Sequence, residues 1–334
     1  MNLTKKYEVW LKANWMRVND HVTEAKLTSF KSHINLANSI SLPDNFNPKK
    51  IRFFWPSSYH WPLTHKWLFP LLSEFRRNFV VEFKPMPKYE NAIFIEVEID
   101  GQVYPIAIDA FDKVEINDKC ASQVMVYFKM QYAKEGYKPS NIVPGGFIPA
   151  YSNIYLHLNK AREIRDNQTF LYDAYGRFGG RFAKTIRGQA VEKLSSQKEF
   201  SYQGGIGRVK YHDSLFEIAR SKVCIDLPGY GPFCFRLIDY LAVGACIIAY
   251  PHHTRLPVPL IPGQEIVYCK EDLSDLTELC NYYITHEKER EAIAHRARNY
   301  FDHHLSRPKL ASHYVNTILN YASNQENSGC LATA

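Results

Sequence analysis

Apolar and polar positions change period several times along the chain, and the changes mark its elements. Val223-Cys224-Ile225 is an apolar run of the length of a buried strand. Asp226-Leu227-Pro228-Gly229-Tyr230-Gly231-Pro232 interrupts it, since Pro and Gly break regular structure. From Phe233 to Val243 the spacing becomes helical, with Leu237, Ile238, Leu241 and Ala242 on one stripe. Gly244 stands where a helix stops on a residue free to take positive φ. Ala245–Tyr250 is a second apolar strand, closed by Pro251. The pattern predicts a β-α-β unit with parallel strands covered by helices.

The same reading extends to the rest of the chain. Trp10, Leu11 and Trp15 suggest a short amphipathic helix within a polar first 50 residues. Ile51–Trp55 reads as a strand, Trp61–Phe75 as a helix interrupted near Pro70, and Val80–Phe83 as a strand. Ala92–Asp100 and Val103–Asp109 flank Gly101-Gln102 as a hairpin, and Gln123–Phe128 is a further strand. Pro139, Pro144, Gly145, Gly146 and Pro149 mark a linker. Beyond it come a strand at Gln168–Tyr172, a Gly-Arg loop at 173–181 and a helix at Phe182–Leu194. Next are a Gly-rich turn at Tyr202–Arg208, a helix at His212–Arg220 and a strand at Gln264–Tyr268. Helices at 287–304 and 308–322 precede a polar tail at 323–334. The expected class is therefore α/β, with domains at 1–150 and 151–334.

Composition narrows the function classes. The 334 residues are 46% hydrophobic, enough for well-packed cores, and the formal charge of +7 favours an acidic partner or substrate. Seven scattered cysteines contain no C-x-x-C pair, so a disulfide framework and a zinc site are not indicated. Their use suits a reducing cytoplasm. The N-terminus lacks the apolar core of a signal peptide, and no apolar run approaches a membrane span. A cytoplasmic protein, or one peripheral to a membrane, is expected.

Candidate chemistry gathers around the β-α-β unit. Arg236 and Asp239 lie at i and i+3 of the helix, with Arg236 in its first turn. A Gly-rich loop, a helix N-terminus and an added Arg suit an anion; an exposed ion pair is the bland alternative. Arg177, Gly179, Gly180 and Arg181 form a second such loop, where backbone amides and guanidinium forks would close on phosphate. A basic surface turn would look the same. Glu96, Glu98 and Asp100 alternate onto one strand face and read as a solvated surface. The strand-end loop Pro56-Ser-Ser-Tyr-His60 suits a substrate cleft at the carboxyl end of a sheet, while His60, Trp61 and His65 also read as packed aromatics, the simpler alternative. No D-x-D triplet occurs, which argues against metal-dependent sugar transfer of that type.

The block Arg236-Leu-Ile-Asp239-Tyr-Leu-Ala242-Val-Gly244-Ala-Cys-Ile-Ile resembles the R-x-x-E-x-L-A-x-G-x-x-x-V block of GT-B glycosyltransferases, nearest to exostosin-like and CgeB-like C-terminal domains. Asp239 stands where that family usually has Glu. The resemblance spans about Tyr202 to Tyr314. It implies two Rossmann-like domains with C-terminal helices: an acceptor domain at 1–150 and a nucleotide-sugar donor domain at 151–334. It implies a hexosyl- or pentosyltransferase that needs no metal or other cofactor, with a UDP-sugar the first candidate donor. The donor site would comprise Arg177, Gly179, Gly180, Arg181, Arg208, Gly229, Tyr230, Gly231, Phe233, Arg236 and Asp239. Arg236 would stabilise the leaving diphosphate, Asp239 would hold the ribose, and Asp109 or His60 would serve as general base. The acceptor would be a glycan, a lipid-linked sugar or another polar, even anionic, group. Two rivals stay open: a phage-type nucleic-acid-base glycosyltransferase, and a non-catalytic nucleotide- or glycan-binding module. The first lacks the long Lys/Arg stripe of a DNA track.

Overall fold

The apolar cores among the described residues are built on two sheets, with side chains packed on both faces of the six-stranded one. The structure, a computed structural model, describes residues 3–29, 40–43, 46–148 and 153–331. It divides into two compact units. One comprises Met1–Ser152, Arg255–Pro257 and Ser306–Ala334; the other comprises Asn153–Thr254 and Val258–Leu305.

The first unit contains α1 (Leu3–Ser29), β1 (Ile51–Pro56), α2 (Thr64–Asn78), β2 (Val80–Lys84), β3 (Ala92–Ile99) and β4 (Gln102–Asp109). A single turn α3 (Asp118–Ala121) leads to β5 (Val126–Lys129), the short β6 (Tyr132–Ala133) and β7 (Ile142–Pro144). The sheet order is β2-β1-β3-β4-β5-β7. Only β3 runs against the others, because Asp100 and Gly101, at φ 49° and 88°, close a tight hairpin into β4. The carboxyl ends of β1, β2, β4, β5 and β7 therefore share one edge.

The second unit runs α4 (Ile154–Asp166), β8 (Tyr172–Phe178), α5 (Lys184–Ser196), β9 (Tyr202–Ile206), α6 (Tyr211–Ala219), β10 (Ser221–Asp226), α7 (Phe235–Val243) and β11 (Cys246–Ala249). After β12 (Thr254–Arg255) come β13 (Val267–Tyr268), α8 (Leu276–Thr285) and α9 (Glu287–Tyr300). Its sheet, β13-β11-β10-β8-β9, is wholly parallel. The predicted β-α-β unit is present as β10-α7-β11, and Gly244 caps α7 at φ 84°. The strand order reverses between β8 and β10. That reversal opens a crevice at their carboxyl ends, the place where open α/β sheets take ligands.

Several sequence expectations are corrected. Residues 142–144, assigned to the linker, are strand β7, and Phe147 and Ile148 are buried. The expected boundary at 150/151 lies outside the described residues. Strand β8 runs through Asp173–Phe178, so the Gly-Arg loop is confined to 179–183. The Gly-rich turn at 202–206 is strand β9. Helix α2 continues through Pro70, because Leu68, Phe69, Leu71, Leu72 and Phe75 are all buried along it. Helix α1 is 27 residues long, and Trp10, Leu11 and Trp15 are exposed on it. The expected polar tail is helical to Leu331, as part of α10 (Arg307–Leu331). That last helix returns to the first unit rather than staying with residues 151–305, since Leu310, Tyr314, Ile318 and Leu319 complete the first core. Among the described residues no helix is long and apolar enough to cross a membrane.

Candidate functional site

The crevice between β8 and β10 is walled by the loops 179–183 and 227–234, which lead into α5 and α7. Neither helix has a side-chain cap: Ala183 precedes α5 and Cys234 precedes α7. Both helix N-termini stand at the positive ends of their helix dipoles. Phe182 and Tyr230 meet from the two loops at a ring separation of 5.0 Å, and Tyr230 is exposed.

Two arginines brace these loops from below. Arg187, buried on α5, donates to the Pro228 carbonyl at 2.9 Å and to the Gly179 carbonyl at 2.6 Å. Arg236 on α7 donates to the carbonyls of Leu227 at 2.8 Å and Arg177 at 3.3 Å, and its guanidinium lies 4.6 Å from the Phe178 ring. It also pairs with Asp226 at 2.9 Å, while its buried Nε has no hydrogen-bond partner among the described residues. Burial pushes the Asp226 carboxyl up to about 6, with Arg236 and then Arg187 holding it down. Burial, and then the charge of Arg236, lowers the pKa of Arg187. One carboxylate thus faces two guanidiniums, and the surplus positive charge sits where the helix amides converge. Chemically the crevice suits an anion with several oxygens.

Asp239, one turn beyond Arg236, accepts a hydrogen bond from Tyr211 at 2.7 Å. Burial raises its carboxyl from 3.8 to about 7, against the opposing effects of Tyr211 and Arg236. It therefore holds its proton well above the ordinary carboxylate range. His252, after β11, is held by Tyr268 at 2.7 Å and lies edge-on to Phe233. Burial, then His253, lowers its pKa to about 4, so the ring is neutral.

The other predicted residues are distributed unevenly. Arg177 lies on β8 and spends its guanidinium on Glu217, at 3.0 and 2.8 Å, although its carbonyl receives Arg236. Gly179 and Gly229 are at the crevice through Arg187, whose NH2 lies 3.6 Å from where a Gly229 Cβ would stand. Gly180 and Arg181 are exposed on the first loop, and Arg208 is exposed after β9. Gly231 and Phe233 are buried under the second loop. His60 is exposed in the first unit. Asp109, at the end of β4, is wholly buried and accepts from Tyr127 at 2.6 Å, Lys129 at 2.9 Å and the Phe111 amide at 2.8 Å. Both of its carboxylate oxygens accept hydrogen bonds within the fold. Arg187, Asp226, Tyr211 and His252 were not singled out as site residues. The only sequence signal for Arg187 is an arginine one turn into the helix that follows Gly179-Gly180.

A wholly parallel sheet with Arg187 and Arg236 at its reversal point defines an α/β protein with the crevice in which open α/β sheets take ligands. Residues 178–312 are similar to a family described as glycosyl transferase-like. The matched stretch begins at the last residue of β8 and includes both loops, Arg187, Asp226, Arg236 and Asp239. The match supports a transferase that moves a glycosyl group, with a sugar donor and an acceptor as its partners. No curated protein matches the chain.

Proposed function

We propose that the protein transfers a hexosyl or pentosyl group from a nucleotide diphosphate sugar, a UDP-sugar first among candidates, to a polar acceptor without requiring a metal. The observation that carries this reading is the pair Arg187 and Arg236 beneath two uncapped helix N-termini, within the stretch similar to glycosyl transferases. The second unit would hold the donor and the first the acceptor. The diphosphate would lie on the α5 and α7 amides, with Arg236 and Arg187 offsetting charge that grows on the leaving group. Arg181 and Arg208, both exposed, would reach the outer phosphate oxygens. Tyr230 and Phe182 offer ring faces to a nucleobase. Asp239 would take a ribose hydroxyl. Of the two base candidates only His60 keeps an exposed side chain.

The test is a thermal-shift panel of UDP-, GDP-, CMP- and dTDP-sugars, followed by turnover of whichever donor stabilises the protein. At 100 times its dissociation constant the right donor adds about 2.7 kcal/mol. Activity is expected to survive EDTA; loss with EDTA and recovery with manganese would overturn the metal-independent part. A bound donor that is never hydrolysed or transferred would favour the non-catalytic binding module instead.

A further inference from the structure

The first unit contains a cavity of about 180 Å³ at the carboxyl ends of β1 and β2, which no role assigned above uses. One wall is a stripe of α2 on which His65 and Arg76 bracket apolar side chains, and another is α1 with Arg17 and His21. Ser57, following β1, supplies a hydroxyl. Among the described residues no carboxylate lines the cavity. Among the described residues neither Arg17 nor Arg76 has an ion-pair partner.

The acids nearby do not neutralise these cations. Glu24 is taken by Arg77 and Arg307. Burial, then Glu24, raises Asp20 to about 7, and its carboxylate stands 3.7 Å from His65 Nε2, beyond hydrogen-bond reach. That buried Nε2 has no hydrogen-bond partner among the described residues. Burial, then the charges of Arg17 and His21, lowers His65 to about 4, so it faces the cavity as a neutral ring in a positive field. Cations gathered on a concave, partly apolar surface raise the local concentration of an anion.

We propose that this cavity binds an oxyanion, a carboxylate or a phosphate ester, carried on a small molecule, with Arg17 and Arg76 as its charge partners and Ser57 as a hydrogen-bond donor. Its volume of about 180 Å³ leaves room for the anionic group and further atoms of a small molecule. Binding here stands whether or not the protein transfers sugar; under the acceptor assignment for the first unit, the anion would belong to the acceptor.

The experiment follows the imidazole nitrogen resonances of His65 in the full-length protein, assigned by His65→Gln, during titration with inorganic phosphate, acetate and chloride. A saturable shift is expected with phosphate or acetate and not with chloride, and the oxyanion that saturates at lower concentration identifies the class. Arg17→Ala and Arg76→Ala should each weaken that binding about tenfold, the effect of losing one charged hydrogen bond. Because neither arginine is paired, both variants should keep the parent's melting temperature. An unmoved His65 signal, an equal response to chloride, or unaltered affinity in both arginine variants would each overturn the site. Weakening by Arg17→Ala and Arg76→Ala separates binding here from anion binding in the second unit.

Discussion

Arg236 joins stability to function, so its two substitutions should separate them. Arg236→Ala removes the direct ion-pair partner of buried Asp226 and leaves it only the charge of Arg187, at a cost of up to about 3–5 kcal/mol. Urea denaturation measures that loss directly. Arg236→Lys keeps a cation but not the planar fork. It should fold, and its turnover should fall on the order of 10²-fold if the guanidinium meets the developing charge. Parental turnover in Arg236→Lys would place the leaving group elsewhere. Asp239 makes a pH prediction. Its carboxyl titrates near 3.8 when unfolded and near 7 when folded, so the folded state binds the extra proton between those values. Stability from this group is complete below about 4 and is lost as pH rises to about 7. Asp239→Asn does not ionise, so its stability relative to the parent should rise across that window. Melting curves of both proteins at several pH values check this, and a constant difference would contradict the raised carboxyl. At this scale the sequence supplied Arg236 and Asp239 because both sit on one helix. Arg187 escaped it because its partners, Gly179 and Pro228, meet it only through the sheet.

At the scale of elements, the glycines of β8 and β9 explain the main misreading. Gly204 has φ 138°, and a Cβ there would stand 2.1 Å from the Gly176 carbonyl on the neighbouring strand. Glycine serves here for close approach of two backbones, whereas in sequence it reads as a turn. Gly204→Ala should therefore destabilise the second unit by at least about 2 kcal/mol, combining clash and backbone strain. Near-parental stability in denaturant would refute the close approach. The β10-α7-β11 unit was legible because its signals are local: apolar runs, one helical stripe and Gly244 at the cap.

At the scale of the whole molecule, α10 ties the chain's end to its beginning. Tyr314 stacks on Phe128 at 4.2 Å, and Ile318 is 1% exposed in the first core. Ile318→Ala should cost about 2–5 kcal/mol, and hydrogen exchange should show the loss in β1–β5. Equal loss of protection in β8–β11 would mean that α10 supports the other unit. Linear order suggests a helix belongs with the segment before it, and α10 breaks that rule by burying its apolar stripe in a core formed some 200 residues earlier.

Hydrophobic periodicity alone determined that this is an α/β chain and where its central β-α-β unit lies. Those features depend on neighbours a few residues apart, which spacing records. Tertiary structure decided that β8 and β10 adjoin, that Arg187 joins Arg236 over Asp226, that Asp109 is sealed by Lys129 and Tyr127, and that α10 completes the first core. Each of these rests on strand order or long-range burial, and local pattern carries no information about which distant segment will cover a given face.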